Sequence, residues 1–121
     1  MRDFTATVDE LKTVVRMFCE EREWDRFHNP KDLAIGITTE ASELLDIFRF
    51  KDAAECREIL EDEECREAVC DELADVLYFV LRFAQTNDID LASALESKVY
   101  KNGKKYPADK SRGSNKKYDE L

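Results

Sequence analysis

Four carboxylates set in two short steps, Glu40-Ala-Ser-Glu43 and Glu72-Leu-Ala-Asp75, are the residues of this chain best placed to do chemistry. Carboxylates three apart on a helix lie on one face, one turn apart, so two facing helices can gather all four into an acidic cage. A cage of this kind suits a hard divalent cation, Mg²⁺ or Mn²⁺ as its substitute, with coordination positions left open to phosphate.

Spacing alone does not single these residues out. With 28 Asp and Glu among 121 residues, pairs such as Glu20 and Glu23, Glu55 and Glu58, or Glu64 and Glu67 arise by accident. The surroundings make the difference. At roughly 100° per residue from Leu33, the side chains of Ile37, Ala41, Leu44 and Phe48 form one apolar arc. Glu40 falls inside this apolar stripe, between Leu33 and Ile47, and Glu43 on its edge. From Val69 the same turn gathers Leu73, Val76, Leu77, Val80 and Ala84, with Glu72 between Phe79 and Phe83 and Asp75 just outside. Glu20, by contrast, lies opposite the Val8, Leu11, Val15 and Phe18 face and is solvated charge.

Burying an ionised carboxylate costs several kcal/mol unless it is paired, hydrogen-bonded or bound to metal. Neither arc carries Lys or Arg, and Arg82 falls beside Asp75 rather than Glu72. The counter-charge is therefore expected from a metal ion. Asp46, three beyond Glu43, is expected to face solvent.

The elements that must hold these residues are helices. Thr7-Val8-Asp9-Glu10 is a capping-box pattern that opens a first helix, expected over about Val8 to Trp24. Asn29-Pro30 caps a second, ending near Phe48, and Asp52 caps a short third over about Ala53 to Leu60. The acidic run Glu61 to Glu64 suits the start of a fourth, which extends to about Thr86 and is apolar around more than half its circumference. Asp90 caps a fifth from Leu91 to about Asn102, with Gly103 as its left-handed closing residue. From Pro107 the composition turns polar and irregular. Three glycines and two prolines are too few for a β-rich fold. One all-α domain over 1–121 is expected, a bundle of about four to five helices with an irregular basic C-terminal tail over 107–121.

Charge is divided unevenly along the chain. Residues 1–97 hold 11 basic and 25 acidic residues, and residues 98–121 hold 8 basic and 3 acidic, which gives −14 and +5. An acidic body argues against a nucleic-acid polymer as partner. A basic segment beside an acidic metal cage suits a polyphosphate countered from both ends. The four cysteines form no Cys-x-x-Cys, there is one histidine, and no long apolar span or signal peptide is apparent. Zinc and a membrane are not expected, and a reducing cytoplasm is.

Glu40-x-x-Glu43, then 28 residues, then Glu72-x-x-Asp75 resembles the signature of the MazG-like all-α nucleoside triphosphate pyrophosphatases, and within them the dCTP pyrophosphatases. The run from Glu21 through Trp24 and His28 to Leu33 is similar to the family's segment ahead of the first acidic motif. Lys98, Asn102, Lys105-Tyr106-Pro107 and Lys117-Tyr118-Asp119-Glu120-Leu121 match its C-terminal segment. The resemblance implies Mg²⁺-dependent cleavage of a nucleoside triphosphate between the α and β phosphates, as a house-cleaning step on dCTP or its modified forms. It implies Glu40, Glu43, Glu72 and Asp75 as metal-holding catalytic residues, and homo-oligomers, dimers or tetramers, as the assembly.

Lys98 and Asn102, four apart on one helix face, can reach one phosphate, with Lys105 and Tyr106 as additions. Trp24, His28 and Phe50 lie near the ends of the first two helices, where rings could enclose a base. Phe50 and Phe79 stand where dCTP-type relatives tend to carry tryptophan and tyrosine, so both bear on the choice of base. Two alternatives stay open: a pyrophosphatase for another nucleotide such as dUTP, dATP or phosphoribosyl-ATP, and a non-catalytic, metal-binding helical interaction module.

Overall fold

The computed structural model describes residues 1–121, all helix, turn and connecting chain without a strand. Six α-helices follow in order: α1 Val8–Glu21, α2 Pro30–Phe48, α3 Ala53–Glu61, α4 Glu63–Thr86, α5 Leu91–Lys105 and the single turn α6 Ala108–Ser111. Two short 3₁₀ turns, Asp25–Phe27 and Tyr118–Glu120, complete the set. The chain divides into two compact units, 1–88 and 89–121.

Local chemistry starts each long helix where the sequence places it. The Thr7 hydroxyl accepts from the Glu10 N–H while Glu10 returns to the Thr7 N–H, a reciprocal capping box that Asp52 and Glu55 repeat ahead of α3. Asn29, Asp62 and Asp90 cap α2, α4 and α5 through their side-chain oxygens. In α2, Pro30 occupies the first turn, where its missing N–H leaves no bond unmade.

Two helix ends differ from expectation. The first helix stops at Glu21 instead of Trp24, because Glu23 turns left-handed (φ 53°) and the Trp24 N–H folds back onto the Cys19 carbonyl. The fifth runs through Gly103 to Lys105, so Gly103 is an interior residue and not its closing one. Lys104 and Lys105 in that last turn face the negative end of the helix dipole, which favours the extension, and Pro107 lies just beyond the cap Tyr106. The tail is also more regular than its composition suggests. It forms α6 and the second 3₁₀ turn, with Tyr118 packed edge-on to Tyr106 at 6.1 Å and the left-handed turn supplied by Gly113 (φ 75°).

Within residues 1–88 the most extensive pairing is α2 with α4, and α1 and α3 each pack on α4. The buried residues are Val15 and Cys19 of α1, Leu33 of α2, and Val69, Leu81, Arg82 and Ala84 of α4. Gly36 sets the approach of α2 to α4, since a Cβ there would lie 2.5 Å from the ring of Phe79. That contact is one turn before Glu40 on α2 and one turn after Asp75 on α4, so it fixes the helix separation next to the acidic residues. A Gly36→Ala substitution should force the Phe79 ring or the helices apart. The expected cost is about 1–3 kcal/mol of stability, read by urea denaturation; an unchanged midpoint would show that the crossing does not depend on the missing Cβ.

Candidate active site

The acidic residues converge where α2 crosses α4. Glu40, Glu43 and Glu72 each bring one carboxylate oxygen within 4.8 Å of the others. Asp75 stands outside that triplet, exposed, but its charge acts on both Glu40 and Glu72 and it lines a cavity together with Glu40. As the helical wheels anticipate, Glu40 and Glu72 are half-buried, whereas Glu43, expected at the edge of the apolar arc, is exposed. Asp46 faces solvent, 4.0 Å from Arg49.

No cation of the protein answers this charge. Oε2 of Glu40 and Oε2 of Glu72 are buried without a hydrogen-bond partner, and none of the four carboxylates takes part in an ion pair. The electrostatic consequence is protonation. Burial first, then the hydrogen bond and charge of Glu43, then the charges of Asp75 and Glu72, push the Glu40 carboxyl up to about 7. Glu72 is raised as well, by burial and then by Glu43. Buried, partnerless carboxylate oxygens clustered at this spacing are the donor set of a hard divalent cation, so the residues present fit such a group.

A cavity of about 460 Å³ opens onto Glu40 and Asp75. Its walls are aromatic: Phe18, Trp24, Tyr78 and Phe79. Successive rings meet edge to face, Trp24 with Phe18 at 5.6 Å, Phe18 with Tyr78 at 6.0 Å, and Tyr78 with Phe79 at 5.0 Å. The Tyr78 hydroxyl is engaged by the buried Cys19 thiol at 3.1 Å. An apolar chamber of that size beside a carboxylate cluster can hold a planar base with its charged end toward the acids.

The proposed base-contacting residues fare unequally. Trp24 and Phe79 are cavity walls. His28 packs its ring edge-on to Trp24 at 6.3 Å, while its Nδ1 accepts a 2.8 Å hydrogen bond from Nε of Arg82. Burial, and then the Arg82 charge, hold its pKa below the usual imidazole range. Phe50 is not a wall of this cavity; it is 90% exposed, with a left-handed backbone (φ 65°) and the Arg49 guanidinium over its ring. In the second unit Lys98 and Asn102 share one face of α5, and the Lys105 ammonium lies 5.0 Å from the centre of the Tyr118 ring that Tyr106 also meets.

Sequence reasoning passed over Phe18 and Tyr78 as site residues, since one reads as core face and the other as a neighbour of Phe79. It also set Arg82 beside Asp75, whereas the guanidinium turns away to Asp25 and His28. The missed signal is that a basic residue within an otherwise apolar stretch, Leu81-Arg82-Phe83-Ala84, must find buried partners.

The model of the MazG-like family matches residues 35–121, a span that includes all four carboxylates. The chain belongs to the MazG-like family. Among its relatives, dCTP pyrophosphatase 1 of Rattus norvegicus is 34% identical over 115 residues, covering 95% of this chain and 68% of that protein. The Homo sapiens protein of that name is 33% identical over the same coverage. A crystal structure of a pyrophosphatase from Archaeoglobus fulgidus superposes with a TM-score of 0.78 at 34% identity, over 88% of this chain and 98% of the other. The all-helical architecture is thus that of a MazG-like pyrophosphatase.

The raised carboxyls make stability depend on pH. A group whose folded pKa lies above its ordinary 4.5, as for Glu40, favours the fold below about pH 4.5 and loses that contribution as pH rises through about 7. Metal-free protein should therefore melt lower at pH 8 than at pH 6, and saturating Mg²⁺ should raise the melting temperature more at pH 8. Glu40→Gln should flatten this pH dependence and abolish the Mg²⁺ shift. Equal Mg²⁺ shifts in the wild type and the variant, by thermal denaturation monitored at both pH values, would place the metal elsewhere.

Proposed function

We propose that this chain hydrolyses a deoxynucleoside triphosphate, of the dCTP type, between its α and β phosphates, with release of the monophosphate and pyrophosphate. That the chain is a nucleoside triphosphate pyrophosphatase rests on its family and its named relatives. The observation that carries the site assignment is the pair of buried, partnerless oxygens on Glu40 and Glu72 at the mouth of an aromatic cavity.

In this reading Glu40, Glu43, Glu72 and Asp75 hold Mg²⁺. Bound by these carboxylates, Mg²⁺ would neutralise charge on the phosphate oxygens and lower the pKa of a water beside them. The carboxylates position the triphosphate end, and one of them takes up the water proton. Trp24 and Phe79 face the base, with Phe18 and Tyr78 completing the aromatic surface around it. His28, Phe50, Lys98, Asn102, Lys105 and Tyr106 join as substrate-binding residues on the strength of the family resemblance. Phe79 has no hydroxyl to offer the base, so its contribution to selection is shape and aromatic contact. Homo-oligomerisation is part of the proposal, supported by large apolar side chains left open on three helices: Val14 and Met17, Ile35 and Leu45, Leu73 and Leu77. The cellular role proposed is cytoplasmic nucleotide-pool house-cleaning; no helix is long and apolar enough to cross a membrane.

Pyrophosphate release from canonical and modified nucleoside triphosphates, with Mg²⁺ and with chelator, tests the reading. Metal-dependent release led by dCTP-type substrates is expected. Release led by another base would keep the chemistry and discard the cytosine assignment, and no release would favour a non-catalytic helical module. Glu40→Gln and Asp75→Asn should each lower kcat by at least about 10²-fold with unchanged helical circular dichroism. Retained turnover in excess Mg²⁺ would remove that residue from the ligand set.

A further inference from the structure

Arg82 is the one charged residue buried in this fold, 3% exposed on the face of α4 turned toward α1 and the Asp25–Phe27 turn. Each nitrogen of its guanidinium is engaged. Nε donates to His28 Nδ1 at 2.8 Å, one terminal nitrogen donates to Gln85 Oε1 at 2.8 Å, and the other donates to Asp25 Oδ1 in a short charged contact. Gln85 passes the connection on, since its side-chain nitrogen donates to the Lys12 carbonyl of α1 at 2.7 Å. Two side chains of α4 thereby tie down the 3₁₀ turn and α1, Arg82 directly and Gln85 in relay.

The burial of a guanidinium is costly and has to be matched by geometry this complete. Its position explains what the geometry achieves. His28 Nδ1 can accept from Arg82 only if it carries no proton, so the neutral ring bears its single proton on Nε2. The same ring packs edge-on against Trp24, and Trp24 packs on Phe18, both walls of the aromatic cavity. A fixed imidazole thus braces the cavity wall from outside, and it has one donor, Nε2–H, left to offer.

We infer that Arg82 is a positioning residue for the base pocket: it locks His28 in the Nε2–H tautomer and, through that ring, holds Trp24 against the cavity. It rests on the pyrophosphatase reading for its kinetic consequence and on geometry alone for the tautomer. The carboxylate cluster does not enter into it. Arg82 acts on how well the base is held and leaves the phosphate chemistry alone, so its loss falls on KM.

Because His28 is the only histidine in the chain, nitrogen-15 labelling of histidine reports this ring unambiguously. The labelled wild type should show an unprotonated Nδ1 and a protonated Nε2 at neutral pH, and Arg82→Met should show exchange between both tautomers. The kinetic arm is a double-mutant cycle. Arg82→Met should raise KM for the preferred triphosphate about tenfold with kcat within about twofold, and should change KM no further in a His28→Ala background. Where Arg82→Met does not fold, Arg82→Lys, which keeps charge but loses the three-way fork, takes its place with the same expectation.

A Nδ1–H tautomer in the wild type would overturn the inference, as would one unchanged tautomer in the variant. So would an unaltered KM, or an equal rise in KM with and without His28. If wild-type protein releases no pyrophosphate from any triphosphate, the pyrophosphatase reading fails, and the nitrogen-15 result still decides whether Arg82 sets the tautomer.

Discussion

Two carboxylates that repel one another sit in the seam between α2 and α4, and the packing of both helices has to hold them there. Glu40 and Glu72 bring buried oxygens to the crossing with nothing positive from the chain to meet them. The close approach of the helices sharpens the repulsion, and the packing that opposes it includes the Phe79 ring, which Gly36 lets rest on the α2 backbone. It is relieved by protonation, which is why the Glu40 carboxyl is pushed up to about 7. A divalent cation would relieve it more completely, since it satisfies several oxygens at once. The site is thus a place where folding tolerates a local cost that a ligand can repay.

Helix α4 carries both the acidic and the aromatic surface, which α2 and α1 complete in turn. Along α4, Glu72 and Asp75 are followed one turn later by Tyr78 and Phe79, so acid and aromatic surface succeed each other on a single rigid element. The aromatic half needs α1, which brings Phe18, and the left-handed turn at Glu23, which brings Trp24 back over it. One turn further along α4, the buried Arg82 anchors that returning segment through Asp25 and His28. Carboxylates, aromatic rings and the buried guanidinium therefore follow in order along α4, the succession on which the proposed metal-holding, base-facing and bracing roles rest.

Much of this order is legible before any coordinates, for physical reasons that can be named. Caps announce themselves through short polar side chains, so Thr7, Asn29, Asp52 and Asp90 locate four helix starts correctly. Glu40 and Glu72 declare their inward position because a wheel needs only local spacing. What depends on non-local pairing stays hidden. The Arg82 fork joins residues far apart in sequence, and a wheel can give its direction from the axis but not which way a long flexible side chain turns. Likewise α5 passes Gly103, because dipole-favouring Lys104 and Lys105 lie beyond it, and the tail gains order from a Tyr106–Tyr118 ring contact that composition does not reveal.

The central claim of the proposal is that Oε2 of Glu40 and Oε2 of Glu72, buried with no partner in the chain, are ligands of a divalent ion. Electron paramagnetic resonance of Mn²⁺ titrated into metal-free protein measures this without substrate or turnover, since free Mn²⁺ gives a sharp six-line signal that specific binding suppresses. The wild type should suppress the signal to saturation, and Glu72→Gln, folded and otherwise intact, should leave it at the level of buffer. Equal suppression by the variant would contradict the account, because the buried oxygens at the α2–α4 crossing would then have no part in holding the ion.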